Sequence, residues 1–228
     1  MIRAVIFDFD GTLADFIESD IASLGYIYSL ANPDCAVDQF INAAVEGIMQ
    51  FHDLVDRGDI DSLLMFQYRL SYAFEKMGMD WNNRFTDLYK LQLLRETEAY
   101  PGACDLLNRL MNKVKLGLIT NAYDGVLQRK RIEASGLTRF FHEILIAGEV
   151  GVAKPDQNIF LLMCSKLNVP SEECLFIGDS IHYDITGAGS AGMRTVLYGA
   201  NKSVSAAPNY RARDIQELTL LVEKILGE

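Results

Sequence analysis

The sequence predicts an α/β protein whose mostly parallel sheet is interrupted by an all-helical insertion. Three observations predict this class. An apolar strand pattern at residues 4–7 runs directly into acidic residues, a helical pattern follows as far as about residue 97, and strand and helix patterns then alternate to the end. A lone strand cannot bury itself, so the first strand must pair with the later ones. The predicted architecture is a Rossmann-like core with an inserted helical cap domain.

The insertion shows the apolar spacing of amphipathic helices and no convincing strand pattern. Side chains three or four positions apart form two stripes, Ile17, Ile21, Leu24 and Tyr28, and then Leu63, Phe66, Leu70, Phe74 and Met77. Such a stripe lies along one face of a helix. Breaks predict about four helices, and they fall near Asn32-Pro33, Arg57-Gly58-Asp59 and Gly78-Met79-Asp80. We therefore place the cap at residues 15–97 and the core at residues 1–14 and 98–228.

The core alternates between short apolar runs and amphipathic segments. The candidate strands after the first are Lys115–Thr120, Glu143–Ala147, Cys174–Gly178 and Arg194–Tyr198. The helical segments lie near 103–111, 123–135, 156–167, 183–191 and 214–226. Strands that alternate with helices predict right-handed crossovers and a mostly parallel sheet.

Composition limits the classes of function. Half of the 228 residues are hydrophobic, and the formal net charge is −10, which disfavours a nucleic-acid polymer as partner. A small anionic substrate remains compatible, since one lysine and one metal ion can dominate the local field. The four cysteines form no CxxC pair and are expected to be buried free thiols. With no leader pattern and no apolar run of about 18 residues, we expect a cytoplasmic protein without a membrane partner.

Polar residues follow four of the predicted strands. The segments are Asp8–Leu13, Thr120-Asn121, Lys154-Pro155 beyond a short loop, and Gly178-Asp179 with Asp184 five residues later. Ligands of an open parallel sheet bind outside the carboxyl ends of its strands. The sequence therefore predicts several carboxylates, a hydroxyl and an ammonium group at one edge of the sheet.

This residue set is typical of phosphoryl transfer. Converging carboxylates favour a cation between them, and oxygen ligands favour Mg²⁺ over zinc. One carboxylate can attack phosphorus to form an aspartyl-phosphate, while a second near the leaving oxygen acts as acid and then as base. The metal, a lysine and hydrogen-bond donors neutralise the phosphoryl oxygens. Asp8 and Asp10 would share one side of a continuing strand, and Gly11 lets the chain turn there.

Together these segments resemble the four motifs of the haloacid dehalogenase superfamily, in their usual order and spacing. The resemblance implies that Asp8 is the nucleophile and Asp10 the general acid/base. The implied Mg²⁺ groups are Asp8, the backbone carbonyl of Asp10, Asp179 and, through water or by positioning Lys154, Asp184. The implied phosphate-binding groups are Gly11, Thr12, Thr120, Asn121 and Lys154. The helical insert resembles the cap of the phosphoglycolate-phosphatase and nucleotidase branch.

A finer resemblance is to the bacterial pyrimidine 5′-nucleotidases. It covers Thr120–Gln128, Glu133–Leu137, Glu149–Pro155 and the cap segment Gly58–Leu63. These enzymes often read Asp-Glu-Thr-Leu where this chain has Asp10-Gly11-Thr12-Leu13. The resemblance implies a nucleoside 5′-monophosphate as substrate, with phosphoglycolate or a sugar phosphate as the alternative. A cap that closes over the site implies a small phosphate ester and not a polymer.

Other readings of the sequence stay open. A phosphomutase of the same fold would carry the same motif residues. Asp10 and Asp179 disfavour a dehalogenase, whose chemistry attacks carbon without a metal, and the intact motif set disfavours a non-catalytic binding module. In the cap, Arg69 is the candidate contact for a nucleotide or another anion, against the alternative of a solvated helix face. We expect a monomer or a homodimer.

Overall fold

The computed structural model describes residues 1–199 and 208–227. Its contacts divide the chain into two compact units, one of Met1–Phe16 with Glu98–Glu228 and one of Ile17–Thr97. The second unit is helical throughout. Its helices are α1 (Phe16–Ala31, which begins in the first unit), α2 (Val37–Asp56), α3 (Met65–Lys76) and α4 (Asn83–Glu96), with one 3₁₀ turn at Ser62–Leu64. Four helices are the number that the sequence predicts.

The first unit is built on a six-stranded parallel sheet. Its strands are β1 (Ala4–Phe7), β2 (Lys115–Thr120), β3 (Glu143–Ile146), β4 (Cys174–Gly178), β5 (Arg194–Tyr198) and β6 (Tyr210–Ala212), in the order β3-β2-β1-β4-β5-β6. The predicted α/β class is confirmed, and five strands lie where the sequence predicts them. β6 is not predicted from the sequence, because this strand has only three residues and its Arg211 is exposed.

Helices cover both faces of the sheet. They are α5 (Ala103–Leu110), α6 (Gly125–Ala134), α7 (Ala147–Val150), α8 (Gln157–Leu167), α9 (Gly187–Ser190) and α10 (Ile215–Leu226), with a π-helical turn at Ile181–Thr186 before α9. Successive side chains of a strand point to opposite faces, which explains why Val5 and Phe7 join one apolar cluster and Ala4 and Ile6 the other. Burial on both faces accounts for the unbroken apolar run of β1.

The structure shows how exposed the cysteines are and whether any helix has the length and apolar character of a membrane span. Cys164 and Cys174 are buried, whereas Cys35 and Cys104 are partly exposed, so the prediction of burial is wrong for two of the four free thiols. No helix within residues 1–199 and 208–227 has the length and the apolar character needed to span a bilayer.

Candidate active site

The motif residues converge where β1 lies between β2 and β4. Chain connections leave in opposite directions at this point of the sheet order, which is where α/β sheets open a crevice. Asp8 follows β1, and its backbone N–H still pairs with the carbonyl of Ile177, at 2.9 Å. Asp179 directly follows β4, and Thr120 is the last residue of β2. The sheet therefore delivers three motif residues to one edge.

Lys154 joins two carboxylates in the buried part of the site. Its Nζ donates to Oδ1 of Asp8 at 2.6 Å and to Oδ1 of Asp184 at 2.7 Å. All three side chains are at least nine-tenths buried. Breaking a buried pair by removing one partner leaves an uncompensated charge, which is strongly destabilising. Lys154 is therefore held in place from two directions.

The charges of this cluster shift the pKa values of its members. Burial raises the pKa of Asp8 to about 8, an increase that Lys154 opposes and Asp184 reinforces. Burial lowers the pKa of Lys154, but the charges of Asp184 and Asp8 more than offset this and keep it above its ordinary value. Lys154 is accordingly an ammonium ion at neutral pH, whereas Asp8 needs more positive charge than Lys154 supplies to ionise readily.

A third carboxylate completes a potential cation site. Asp8, Asp179 and Asp184 each offer an oxygen, and these oxygens all lie within 4.8 Å of one another. Carboxylate oxygens are the ligands that Mg²⁺ prefers, and three of them converge here, so the donor set fits a divalent cation. Gly11 makes room for this arrangement, since a Cβ there would lie 2.9 Å from Oδ2 of Asp179, and its φ of +82° favours glycine.

The loop after β4 fixes the orientation of Asp184. Its Oδ2 accepts a hydrogen bond from the backbone N–H of Ser180 at 2.9 Å, while its Oδ1 faces Lys154. Gly178 is required for this approach, because a Cβ at that position would lie 2.4 Å from the Asp184 carboxyl group. Asp184 lies within the π-helical turn that follows β4.

Apart from Lys154, the predicted phosphate-binding residues lie at or just after the ends of β1 and β2. Thr120 is buried, and its Oγ1 accepts a hydrogen bond from Nε2 of Gln128 at 2.9 Å. The side chain of Asn121 holds the backbone of Lys154, since its Oδ1 accepts from the N–H at 3.0 Å and its Nδ2 donates to the carbonyl at 2.9 Å. Buried Thr12 places its Oγ1 3.5 Å from Oδ2 of Asp8.

Asp10 is bound by two side chains to which the sequence analysis assigned no role. Arg131 donates to both of its carboxylate oxygens, at 2.8 and 3.0 Å, and Gln128 donates to Oδ2 at 2.8 Å. Both donors lie on α6, three residues apart, and therefore on one face of the helix. The signal in the sequence was this pair of polar residues one helical turn apart, shortly after Thr120-Asn121.

The structure contradicts the prediction that Arg69 contacts substrate from the cap. Its side chain is fully buried inside the helical unit, where the guanidinium donates to Oδ1 and Oδ2 of Asp20, both at 2.7 Å. It also donates to the hydroxyl of Tyr89 at 3.1 Å and to the carbonyl of Ala44 at 3.3 Å. The alternative prediction, that Arg69 lies on a solvated helix face, is also wrong. The spacing of residues along α3 does not show on which face of the helix Arg69 lies.

Comparison with known proteins assigns the family. A model of haloacid dehalogenase-like hydrolases matches residues 2–192. The pyrimidine 5′-nucleotidase YjjG of Escherichia coli (strain K12) is 35% identical over 171 residues, which are 73% of this chain and 75% of that protein. N-acylneuraminate-9-phosphatase of Rattus norvegicus is 32% identical over 125 residues, or 53% of this chain and 50% of that protein, so the chain matches about half of its length.

A solved structure agrees with the sequence matches. The HAD-hydrolase YfnB from Bacillus subtilis, bound to magnesium, has a TM-score of 0.82 at 24% identity over 97% of this chain and 98% of that one. This likeness concerns the fold. The chain belongs to the haloacid dehalogenase-like hydrolases, as the motifs predict. With a nucleotidase and a phosphatase among its relatives, the predicted enzyme class, a phosphoric monoester hydrolase, is also confirmed.

Proposed function

We propose that the chain hydrolyses a small phosphate monoester through an aspartyl-phosphate on Asp8, and that its substrate is a nucleoside 5′-monophosphate. The observation that carries the mechanism is the buried cluster in which Asp8 contacts Lys154 beside two further carboxylates. A nucleophilic carboxylate needs an adjacent positive charge to receive the phosphoryl oxygens. An ion pair with only a structural role would not require the additional carboxylates.

Mg²⁺ is the proposed cofactor. Asp8 and Asp179 would hold it directly with the backbone carbonyl of Asp10, and Asp184 would act through water or through its contact with Lys154. When bound, the ion would neutralise charge on the transferred phosphoryl group and align it with the nucleophile.

The first chemical step forms a bond between a carboxylate oxygen of Asp8 and phosphorus and breaks the bond from phosphorus to the ester oxygen. The protonated carboxyl group of Asp10 gives its proton to that leaving oxygen, so an alcohol departs. Lys154 and Thr120 would bind the phosphoryl oxygens, together with Thr12 and the backbone amides at Gly11 and Asn121. Their positions at the ends of β1 and β2 and beside Asp8 support these roles.

The second step hydrolyses the aspartyl-phosphate. Asp10, now a carboxylate, takes a proton from a water molecule as the water oxygen attacks phosphorus. The bond between phosphorus and the Asp8 oxygen breaks, inorganic phosphate is released and the Asp8 carboxylate is regenerated. The proton that Asp10 lost in the first step is thereby recovered, so one turnover consumes one ester and one water.

The nucleotide substrate is supported by the relative that is 35% identical over 73% of this chain, which is named for pyrimidine 5′-nucleotides. Phosphoglycolate and sugar phosphates are the alternative, and a sugar phosphate is favoured by the relative named for N-acylneuraminate 9-phosphate. All of these esters share a phosphate on a small alcohol, which is what the Asp8 and Asp10 chemistry requires.

The decisive experiment measures phosphate release from pyrimidine and purine nucleoside monophosphates, phosphoglycolate and sugar phosphates, with Mg²⁺ and with EDTA. We expect turnover that needs Mg²⁺ and is fastest with pyrimidine monophosphates. Asp8→Asn is expected to be inactive, and Asp53→Asn, an exposed carboxylate of α2, is the matched control that keeps full activity.

Other outcomes would change the proposal in distinct ways. Mg²⁺-dependent turnover of another ester would keep the mechanism and replace the substrate. Isomerisation of a sugar 1-phosphate without free phosphate would indicate a phosphomutase, in which a sugar hydroxyl accepts the phosphoryl group in place of water. Halide release that resists EDTA would indicate a dehalogenase. Binding of the panel without any turnover would favour a non-catalytic module.

A further inference from the structure

The carboxylate of Asp10 is held by two donors on α6 in a fixed geometry. Arg131 approaches it with two parallel N–H groups, Nη2 to Oδ1 at 2.8 Å and Nη1 to Oδ2 at 3.0 Å. Nε2 of Gln128 donates to Oδ2 at 2.8 Å. Two-point contacts of this kind fix both the position and the rotation of a carboxylate, which one hydrogen bond cannot do.

The guanidinium of Arg131 is itself fixed by the residues around it. Its central carbon lies 5.0 Å from the ring centre of Phe16 and 5.5 Å from that of Phe9, and the side chain is 2% exposed. The N–H groups of the planar guanidinium donate to Asp10, while its central carbon lies over the two aromatic rings. Arginine is suited to this position by its planar fork, and a lysine ammonium could not reproduce both sets of contacts.

Gln128 links Asp10 to the phosphate-binding strand end. Its Oε1 accepts from Nη1 of Arg131 at 2.8 Å, which leaves Nε2 as the donor to Asp10 and, at 2.9 Å, to Oγ1 of Thr120. The amide is 4% exposed and each of its polar atoms has a partner. The orientation of Asp10 is therefore coupled to that of Thr120.

The three contacts also distinguish the two oxygens of Asp10. A carboxylate has about four acceptor positions, two on each oxygen. Arg131 and Gln128 together use both positions of Oδ2, whereas Oδ1 accepts a single hydrogen bond from Arg131. The acceptor position that these contacts leave open is on Oδ1.

We propose that Arg131 and Gln128 are the positioning residues of the reaction, which hold Asp10 so that its Oδ1 faces the leaving oxygen. This inference rests on the proposed function, because it assumes that Asp10 transfers a proton. In the first step Oδ1 gives its proton to the ester oxygen as the bond from phosphorus breaks, and in the second it takes one from the attacking water. Neither positioning residue exchanges a proton.

The test uses two substrates that differ in leaving group, phenyl phosphate and p-nitrophenyl phosphate. An aryl oxide with a nitro group departs readily without protonation, so loss of an aligned acid affects it less. We compare kcat/KM, which reports the steps as far as aspartyl-phosphate formation. The variants are Arg131→Ala, Arg131→Lys, Gln128→Ala and, as matched control, Arg129→Ala, an arginine of the same helix that pairs with Glu149 outside the site.

For Arg131→Ala we expect kcat/KM to fall about 100-fold with phenyl phosphate and less than about tenfold with p-nitrophenyl phosphate. Gln128→Ala should lower kcat/KM less than Arg131→Ala does, again with the larger loss on phenyl phosphate. This variant provides the test if Arg131→Ala does not fold. Arg131→Lys should remain impaired, and guanidinium ion added to Arg131→Ala should restore part of the phenyl phosphate activity. Inhibition by inorganic phosphate should stay within about threefold of wild type, since positioning and not binding is lost.

The outcomes separate this inference from the proposed function. Equal losses with both substrates, or losses no larger than those of Arg129→Ala, in an active enzyme would overturn the positioning role and leave the phosphatase intact. A wild-type protein that releases phosphate from neither substrate nor from any ester of the panel would overturn the proposed function, and the positioning role with it.

Discussion

The two units of the chain each bury a cluster of charged side chains, and the two clusters differ in their charge balance. In the helical unit one guanidinium, Arg69, faces one carboxylate, Asp20, and every donor contact described there ends on a protein oxygen. In the α/β unit one ammonium, Lys154, contacts two carboxylates, and a third, Asp179, lies close to both of them. A balanced buried pair is what a structural role requires, whereas crowded carboxylates require an additional cation.

This contrast shows why burial alone does not identify a catalytic residue. Arg69 and Lys154 are equally well buried cations. They differ in the number of carboxylates that each contacts, which is one for Arg69 and two for Lys154. Substitutions in both clusters therefore test whether the balance of charge separates a structural role from a catalytic one.

The substitution Asp8→Asn is expected to have the greatest effect, which is a loss of activity. Loss of the nucleophile should reduce turnover roughly 10⁴-fold or more, since no other group replaces the attacking oxygen. The metal-free variant should unfold at about the wild-type temperature at neutral pH, because burial raises the pKa of Asp8 to about 8 and the amide therefore replaces a largely uncharged carboxyl group. Assays of phosphate release and thermal unfolding check both parts, and near-normal turnover would contradict the covalent mechanism.

The counterpart in the helical unit is Asp20→Asn, whose effect should be on stability. It removes the charge that balances a fully buried guanidinium, and we expect the free energy of unfolding to fall by about 3–5 kcal/mol. Urea unfolding measures this, with Asp53→Asn on the surface of the same unit as the control. A change no larger than that of the control would show that the Arg69 cluster does not stabilise the unit.

A third prediction concerns Mg²⁺ and pH. Burial raises the pKa of Asp8 from its ordinary 3.8 to about 8. Between these values the folded chain keeps a proton that the unfolded chain has lost, so this group's contribution to stability falls as pH rises. Mg²⁺ competes with that proton, and its binding should therefore raise the unfolding temperature more at pH 8.5 than at pH 6.

Thermal unfolding at both pH values, with and without Mg²⁺, provides the measurement. Asp179→Asn is the control variant, since it should lose most of the Mg²⁺ effect without removing the group that titrates. An increase in unfolding temperature that is the same at both pH values, or larger at pH 6, would contradict the competition between metal and proton.

The weakest effects are expected for two glycine substitutions, one at the site, Gly11→Ala, and one away from it, Gly58→Ala. Gly11→Ala and Gly58→Ala both place a side chain at positive φ, +82° and +75°, which costs about 1–2 kcal/mol of stability. Only at Gly11 would the new Cβ meet a site residue, at 2.9 Å from Asp179, whereas nothing lies within 4 Å at Gly58. Activity per folded molecule should therefore fall roughly tenfold or more in Gly11→Ala and stay unchanged in Gly58→Ala.

Most of the architecture could be predicted because it depends on local patterns. The strand boundaries of β2, β4 and β5 follow from short apolar runs, and the helical unit follows from stripes such as Leu63 to Met77. The convergence of Asp8, Lys154, Asp179 and Asp184 could also be anticipated, since parallel strands bring their carboxyl ends to one edge. The strand β6 could not be predicted, because its three residues form a strand only through their pairing with β5.

The α/β class, the helical insertion and the residues at the strand ends follow from the order of residues along the chain, since periodicity and motif spacing are properties of that order. The surroundings of each charged group depend instead on tertiary packing. Packing pairs Arg69 with Asp20 across 49 positions and Asp10 with Arg131 across 121 positions, which makes one arginine a structural residue and the other a candidate for positioning Asp10. Pairing at such separations depends on how helices and strands pack, and no local pattern encodes it.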